Sequence, residues 1–84
     1  MNKKNHLPLT EREQEVFAYI LGYIVDNGYS PTRQEIANKF EFTPQGAQKF
    51  VQSLVDKGRI VIIKHGKSNI ARNIVIVENA TLRS

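Results

Sequence analysis

Residues Phe42 to Gly58 read FTPQGAQKFVQSLVDKG, and the apolar side chains in this stretch recur at steps of three and four residues. That spacing is typical of one face of an amphipathic helix. The apolar positions are Ala47, Phe50, Val51, Leu54 and Val55. Thr43 is a candidate N-cap, and Pro44 suits the first helical position because its missing N–H costs no hydrogen bond there. The stretch therefore predicts a helix over 43–56.

The opposite side of this predicted helix carries amides and a lysine but hardly any acid. Its candidate base-reading residues are Thr43, Gln45, Gly46, Gln48, Lys49 and Gln52. Glutamine can pair with N6 and N7 of adenine, and lysine can donate to O6 and N7 of guanine. Glycine costs a helix about 1 kcal/mol relative to alanine, and close approach to a groove is one reason for Gly46. Because carboxylates would be repelled by phosphates, the composition of this side favours a surface that faces DNA.

Two further helices are predicted upstream, each opened by a capping box. Thr10 and Glu13 have the capping-box spacing, and an apolar stripe follows through about residue 26 until an Asn-Gly pair stops it. Thr32 and Glu35 repeat the spacing before a short helix over about 33–40. A helix of two turns is unstable in isolation, so we expect it to pack against the first one.

Two β-branched runs downstream, at 60–63 and 74–77, predict a hairpin. The loop between them, 64–73, is basic and rich in turn residues, a composition suited to phosphates or to the minor groove. Its candidate contacts are Lys64, His65, Lys67, Ser68, Asn69 and Arg72. Thr32 and Arg33 add a candidate phosphate contact at the start of the short helix.

These elements predict one domain of the α+β class, mainly α, with three helices followed by a two-stranded β-hairpin wing. The order of a short helix, a tight turn and a second helix is that of a helix-turn-helix, so we expect a winged helix-turn-helix over 10–77. Residues 1–9 are predicted to form a flexible arm and 78–84 a flexible tail. With 84 residues, the core must be small.

Composition restricts the function further. The chain has no cysteine, and its two histidines lie far apart, so we expect neither a metal site nor a cofactor. No apolar run approaches the roughly 18 residues that span a bilayer, which argues against a membrane partner. Of the net charge of +4, the excess lies in 42–77, where six lysines and arginines face one aspartate. This asymmetry favours a polyanionic partner, nucleic acid or an anionic membrane surface, and the outward side of the 43–56 helix favours nucleic acid. The lack of a membrane span, of an apolar signal segment and of cysteine predicts a cytoplasmic, nucleoid-associated protein.

Two classes of function compete for this sequence. One is a sequence-specific regulator of transcription that binds double-stranded DNA, acting as a repressor or an activator. The other is a winged-helix module that binds a protein, but the outward side of the 43–56 helix lacks the large apolar patch that such docking favours. We expect no enzyme and no small-molecule substrate, since no acid and base pair or activated nucleophile is visible. A homodimer on a two-fold operator, or a protein partner, would extend the few base pairs that one copy reads.

The segments LTEREQEVFAYILGYIVDNGYSPTRQEIANKF and TPQGAQKFVQSLVDKGRI resemble the N-terminal DNA-binding domain of the LexA repressor family. The resemblance implies a winged helix-turn-helix that acts as a repressor, with Thr43, Gln45, Gly46, Gln48 and Lys49 on the helix that reads the operator. The wing is longer and more basic than the family pattern, and the operator sequence does not carry over. The family also joins this domain to a self-cleaving protease domain, which the residues after Val77 are too few to encode. A standalone regulator and part of a longer protein both fit.

Overall fold

The computed structural model describes residues 8–63 and 72–77, which form three helices and a two-stranded antiparallel sheet. The helices are α1, Glu11–Asn27, α2, Arg33–Phe40, and α3, Pro44–Asp56. The strands are β1, Ile60–Ile62, and β2, Ile74–Ile76. This confirms the predicted winged helix-turn-helix architecture. The predicted tail, most of the predicted arm and the wing segment 64–71 lie outside the described residues.

Both predicted capping boxes are present, and they fix where α1 and α2 begin. The Thr10 hydroxyl accepts the Glu13 N–H at 3.1 Å while the Glu13 carboxylate accepts the Thr10 N–H at 2.9 Å. Thr32 and Glu35 repeat the arrangement at 3.0 and 2.8 Å. Each box satisfies two N–H groups that a helix start otherwise leaves without partners. At the other end of α1, Gly28 adopts the left-handed conformation, with φ of 83°, as the Asn-Gly pair predicts.

The turn between α2 and α3 depends on a left-handed residue that is not glycine. Glu41 closes α2 with φ of 61°, and the next N–H, that of Phe42, donates to the Ala37 carbonyl at 2.8 Å. Thr43 then caps α3 by accepting the Gly46 N–H at 3.0 Å. The turn is therefore only three residues long, which sets α3 at a fixed angle to α2.

The core lies where the three helices meet one face of the sheet. Its fully or almost fully buried apolar side chains are Val16, Ile20, Ile36, Ala37, Ala47, Val51, Leu54, Ile60 and Ile74. The helical members lie on the apolar faces of the three helices, and Ile60 and Ile74 are the first residues of the two strands. Leu9, which precedes α1, also packs against this core, although it belongs to the predicted arm.

The strands are one residue shorter than predicted, at three residues each. Val61 pairs with Val75, and Ile60 and Ile62 pair with Ile76 and Ile74. The hydrogen bonding nevertheless continues beyond the strands. The Ile63 N–H donates to the Asn73 carbonyl at 2.9 Å, and the Val77 N–H donates to the Arg59 carbonyl at 3.0 Å. The pairing is thus extended at both ends of the sheet, and the Ile63–Asn73 bond closes the base of the wing.

Candidate nucleic-acid interface

The outward side of α3 is the first component of the candidate interface. Thr43, Gln45, Gln48, Lys49 and Gln52 are all exposed, as the sequence predicts, while the side that carries Ala47, Val51 and Leu54 is buried. The first acidic residue in α3 is Asp56, at its C-terminal end. The first three turns therefore present donors and amides to solvent without an opposing carboxylate.

Gly46 differs from its neighbours because it is half-buried on the edge of this surface. A Cβ atom built there would lie 3.3 Å from the Thr43 hydroxyl and 3.6 Å from the Phe42 Cβ. Gly46 is thus tightly fitted to the helix cap, a reason for glycine in addition to the groove contact that the sequence suggests.

Arg33, the first residue of α2, connects the outward side of α3 to Asn73 at the base of the wing. Its Nε–H donates to Gln48 Oε1 at 3.1 Å, and one terminal nitrogen donates to Asn73 Oδ1 at 2.7 Å. Burial lowers the pKa of Arg33 from its usual value. The sequence predicts a phosphate contact for Arg33 but gives no sign of either bond, since its partners lie 15 and 40 residues away.

Arg72, predicted as a wing contact, has a set of partners inside the protein. Its guanidinium donates to both carboxylate oxygens of Glu35, at 2.8 and 2.9 Å, and to the Ser30 carbonyl at 3.0 Å. It also lies 4.7 Å from the centre of the Tyr29 ring, within cation–π range. The hydrogen bonds from Arg72 and from the Thr32 N–H lower the pKa of Glu35 from 4.5 to about 2. Arg72 therefore holds the start of β2 against α2.

The Thr32 hydroxyl also has a partner inside the protein, because it accepts the Glu35 N–H in the capping box. The remaining predicted wing contacts, Lys64, His65, Lys67, Ser68 and Asn69, lie outside the described residues. The chain enters and leaves their segment at Ile63 and Arg72. Those two points lie beside Asn73, so the base of the wing adjoins Arg33 and α3.

A second polar cluster ties the C-terminal end of α3 to α1. The Glu13 carboxylate, in a residue that is 7% exposed, accepts from the Lys57 ammonium at 2.6 Å and from the Ser53 hydroxyl. Burial raises the pKa of Glu13, but the hydrogen bonds from Lys57, Ser53 and the Thr10 N–H outweigh it and lower the pKa to about 2. Sequence reasoning found only the capping role of Glu13.

An aromatic cluster packs around the turn between α2 and α3 and contacts α1 through Arg12. The rings of Phe40 and Phe42 are stacked with their centres 5.5 Å apart, and those of Phe42 and Phe50 are stacked with their centres 4.8 Å apart. The Arg12 guanidinium lies 5.3 and 5.2 Å from the centres of the Phe40 and Phe42 rings. The turn is thus braced from outside the core.

Comparison with known proteins agrees with this arrangement. A family model described as the LexA DNA binding domain matches residues 6–69. The chain belongs to the LexA DNA-binding domain family. The match includes α1, α2, α3 and β1, so the outward side of α3 lies within the region that defines the family.

Several curated members of the LexA family are similar to this chain. The LexA repressor of Thermosipho melanesiensis is 48% identical over 52 residues, which are 62% of this chain and 26% of that protein. The LexA repressor of Thermotoga maritima is 42% identical over 64 residues, 76% of this chain and 32% of that protein. The LexA repressor of Pseudomonas chlororaphis is 44% identical over 55 residues, which are 64% of this chain and 27% of that protein. The chain spans about a quarter to a third of the length of these relatives.

The described residues show no features of a membrane-spanning helix or a metal site. Within 8–63 and 72–77, no helix has both the length and the apolar character needed to cross a membrane. These residues also contain no group of three or more histidine, aspartate or glutamate side chains placed to hold a metal ion. For the described part of the LexA-family domain, the surface of α3 and the base of the wing remain the candidate site.

Proposed function

We propose that this chain binds double-stranded DNA in a sequence-specific manner and represses transcription. The outward side of α3 would lie in the major groove, and the wing 64–73 would follow the backbone or the adjacent minor groove. The observation that supports this most is the outward face of Gln45, Gln48, Lys49 and Gln52, where the one acidic residue of α3 is Asp56 at the C-terminal end, bonded to Gln52. This face adjoins the base of the wing through Arg33.

The chemistry of that face suits base edges. Lys49 is exposed one turn into α3 and can donate to O6 and N7 of a guanine. Thr43 and Gln45 lie at the N-terminal end of the helix, the end that helix-turn-helix proteins bring to the bases. The lysines of the wing segment would supply phosphate contacts, which position the protein without reading sequence.

We further propose that two copies bind a two-fold operator. One helix reads only a few base pairs, which is too little to single out a site among many competing sequences. Two α3 helices in successive major grooves would place half-sites about one helical turn apart, or a multiple of that distance. Such an assembly would be located on the nucleoid.

Selection of bound duplexes from a random pool at physiological salt tests the proposal. We expect an enriched motif with internal two-fold symmetry. Affinity for it should fall with salt, with a slope in log–log coordinates of about 0.9 for each phosphate contacted. A protein-binding module would enrich no motif and would show no salt-dependent affinity for any duplex.

A further inference from the structure

The contact between Arg33 and Gln48 fixes the direction of an amide on the reading face. A glutamine side chain ends in an oxygen that accepts and a nitrogen that donates, and rotation of its last bond exchanges the two. An exposed glutamine without a partner can therefore present either chemistry to a base. Gln48 is exposed, yet its Oε1 accepts the Arg33 Nε–H at 3.1 Å.

Arginine permits only one of the two amide orientations. A guanidinium has five N–H donors and no acceptor, so it can bond to the Gln48 oxygen but not to the Gln48 nitrogen. Turning the amide over would place donor against donor. The Nε2 group of Gln48, with its two hydrogens, is therefore the part left for a base.

Arg33 is itself held in place from the other side. Its terminal nitrogen donates to Asn73 Oδ1 at 2.7 Å, immediately before β2. Arg33 also directly follows Thr32, the N-cap residue that fixes the start of α2. The three side chains Asn73, Arg33 and Gln48 thus form one chain of hydrogen bonds from the base of the wing to α3.

Gln52, one turn further along α3, has the opposite arrangement. Its Nε2 donates to the Asp56 carboxylate at 3.1 Å, so its oxygen is the part left free for other donors. The same residue type thus has opposite polarity at two neighbouring positions. The polarity is set by the partner, a cation at one position and a carboxylate at the other.

We infer that Arg33 is a positioning residue that makes Gln48 a hydrogen-bond donor toward the major groove, and that Gln48 consequently selects guanine. Guanine presents two acceptors there, O6 and N7, whereas adenine presents one acceptor and one donor, and thymine presents a single acceptor, O4. Pairing with adenine through both positions would require the Gln48 oxygen to face the base, but Arg33 holds it toward α2. The inference rests on the proposed function, since it concerns how the same face distinguishes base pairs.

Motif selection with four proteins tests it: the unchanged chain, Gln48→Ala, Arg33→Lys and the double variant. Gln48→Ala identifies the base pair that Gln48 reads, and we expect guanine at that position in the unchanged chain. Arg33→Lys keeps the positive charge but removes the guanidinium, whose Nε–H and terminal N–H bond to Gln48 and Asn73 at the same time. We expect discrimination at that one position to fall from about tenfold or more to within about threefold, with the rest of the motif unaltered.

Two controls separate positioning from other roles. Arg12→Lys makes the same change at an arginine that lies over Phe40 and Phe42, and it should leave the motif intact. In the Gln48→Ala background, Arg33→Lys should have no further effect on specificity. A further variant, Arg33→Ala, tests whether Arg33 contacts only a phosphate. In that case Arg33→Ala would weaken every duplex alike and reduce the salt slope by about 0.9, which would overturn the inference.

A measurement on the free protein guards against variants that fold poorly. In NMR spectra of the unchanged chain, the Gln48 side-chain amide should show one ordered environment, which Arg33→Lys disperses or shifts. Adenine at the Gln48 position, or a motif that Arg33→Lys leaves unchanged, would overturn the inference while the proposed function stands. Failure of the unchanged chain to enrich any motif would overturn both.

Discussion

The Arg72 guanidinium donates to both oxygens of the Glu35 carboxylate, at 2.8 and 2.9 Å, and so joins the start of β2 to α2. Ser30 reinforces this junction from the buried side, because its hydroxyl accepts the Ile74 N–H at 3.1 Å. The base of the wing is therefore positioned by the same helix that begins with Arg33. Both α3 and the base of the wing are thus hydrogen-bonded to α2.

Arg72→Lys should loosen β2 without unfolding the domain. Lysine cannot pair with both oxygens of Glu35, and because both side chains of this pair are about one-third exposed, the loss of stability should be small. We expect faster amide hydrogen exchange at Ile74–Ile76, with exchange in the core of α3 nearly unchanged. Arg12→Lys is the matched control. Equal protection of β2 in the variant and the unchanged chain would contradict this role for Arg72.

The Glu13 cluster should make stability depend on pH. The pKa of Glu13 is lowered from 4.5 to about 2 in the folded chain, so the unfolded chain takes up its proton first as the pH falls. The stabilisation is therefore complete above about pH 5 and is lost as the pH falls toward 2. Chemical denaturation at a series of pH values measures this loss.

The pKa of Glu35 is also lowered to about 2, so Glu35 contributes to the pH dependence over the same range. Glu13→Gln separates the two contributions, because it removes the Glu13 carboxylate and leaves Glu35 unaltered. We expect the variant to lose about 3 kcal/mol at neutral pH, since Lys57 keeps its charge without its partner, and to show a flatter pH profile. Glu11→Gln, at an exposed carboxylate in the same turn, controls for the loss of one charge. A profile for Glu13→Gln as steep as that of the unchanged chain would show that Glu13 is not the responsible group.

Gly46→Ala should separate folding from binding. Alanine gains up to about 1 kcal/mol of helix propensity, part of which is offset by the Cβ at 3.3 Å from the Thr43 hydroxyl. We expect the free energy of unfolding to change by less than about 1 kcal/mol, while affinity for the selected duplex falls because the added methyl group lies at the reading surface. Thermal denaturation and fluorescence anisotropy measure the two effects. Unchanged affinity would assign Gly46 to the helix cap alone.

Lys49→Ala should affect specificity, whereas Lys67→Ala should not. We expect Lys49→Ala to cost about 1 to 3 kcal/mol on the preferred duplex and to relax the preference at one position. Lys67→Ala should weaken all duplexes about equally and flatten the salt slope by about one unit. Affinities measured on preferred and scrambled duplexes at several salt concentrations distinguish the two. An unaltered preferred site in Lys49→Ala would show that Lys49 does not read a base.

The helices were predictable because their signals are local. Thr10 with Glu13 and Thr32 with Glu35 mark helix starts within four residues, and the apolar stripes follow from a fixed period. The exposed face of α3 follows from the same period, which is why its candidate residues all appear on one side. Glu41 was harder to foresee, because a left-handed residue that is not glycine carries no sequence signal of its own.

The partners of charged side chains were not predictable. Arg33, Arg72 and Glu13 each bond to groups between 15 and 49 residues away, and only the fold brings those groups together. A sequence shows that Arg72 is basic but not that Glu35 faces it. The predicted surface chemistry of α3 was therefore obtained from the sequence, while the positioning of that chemistry required the structure.

Titration of the isotopically labelled chain with its selected duplex, followed by amide chemical shifts, tests the central claim most directly. We expect the largest changes at 43–52, with further changes at the start of α2 and at 72–73 beside the base of the wing. The exposed side of α1 that carries Leu21 and Val25 should change little. Changes centred on Leu21 and Val25, with 43–52 unaffected, would contradict the claim that α3 and the wing together form the DNA-binding surface.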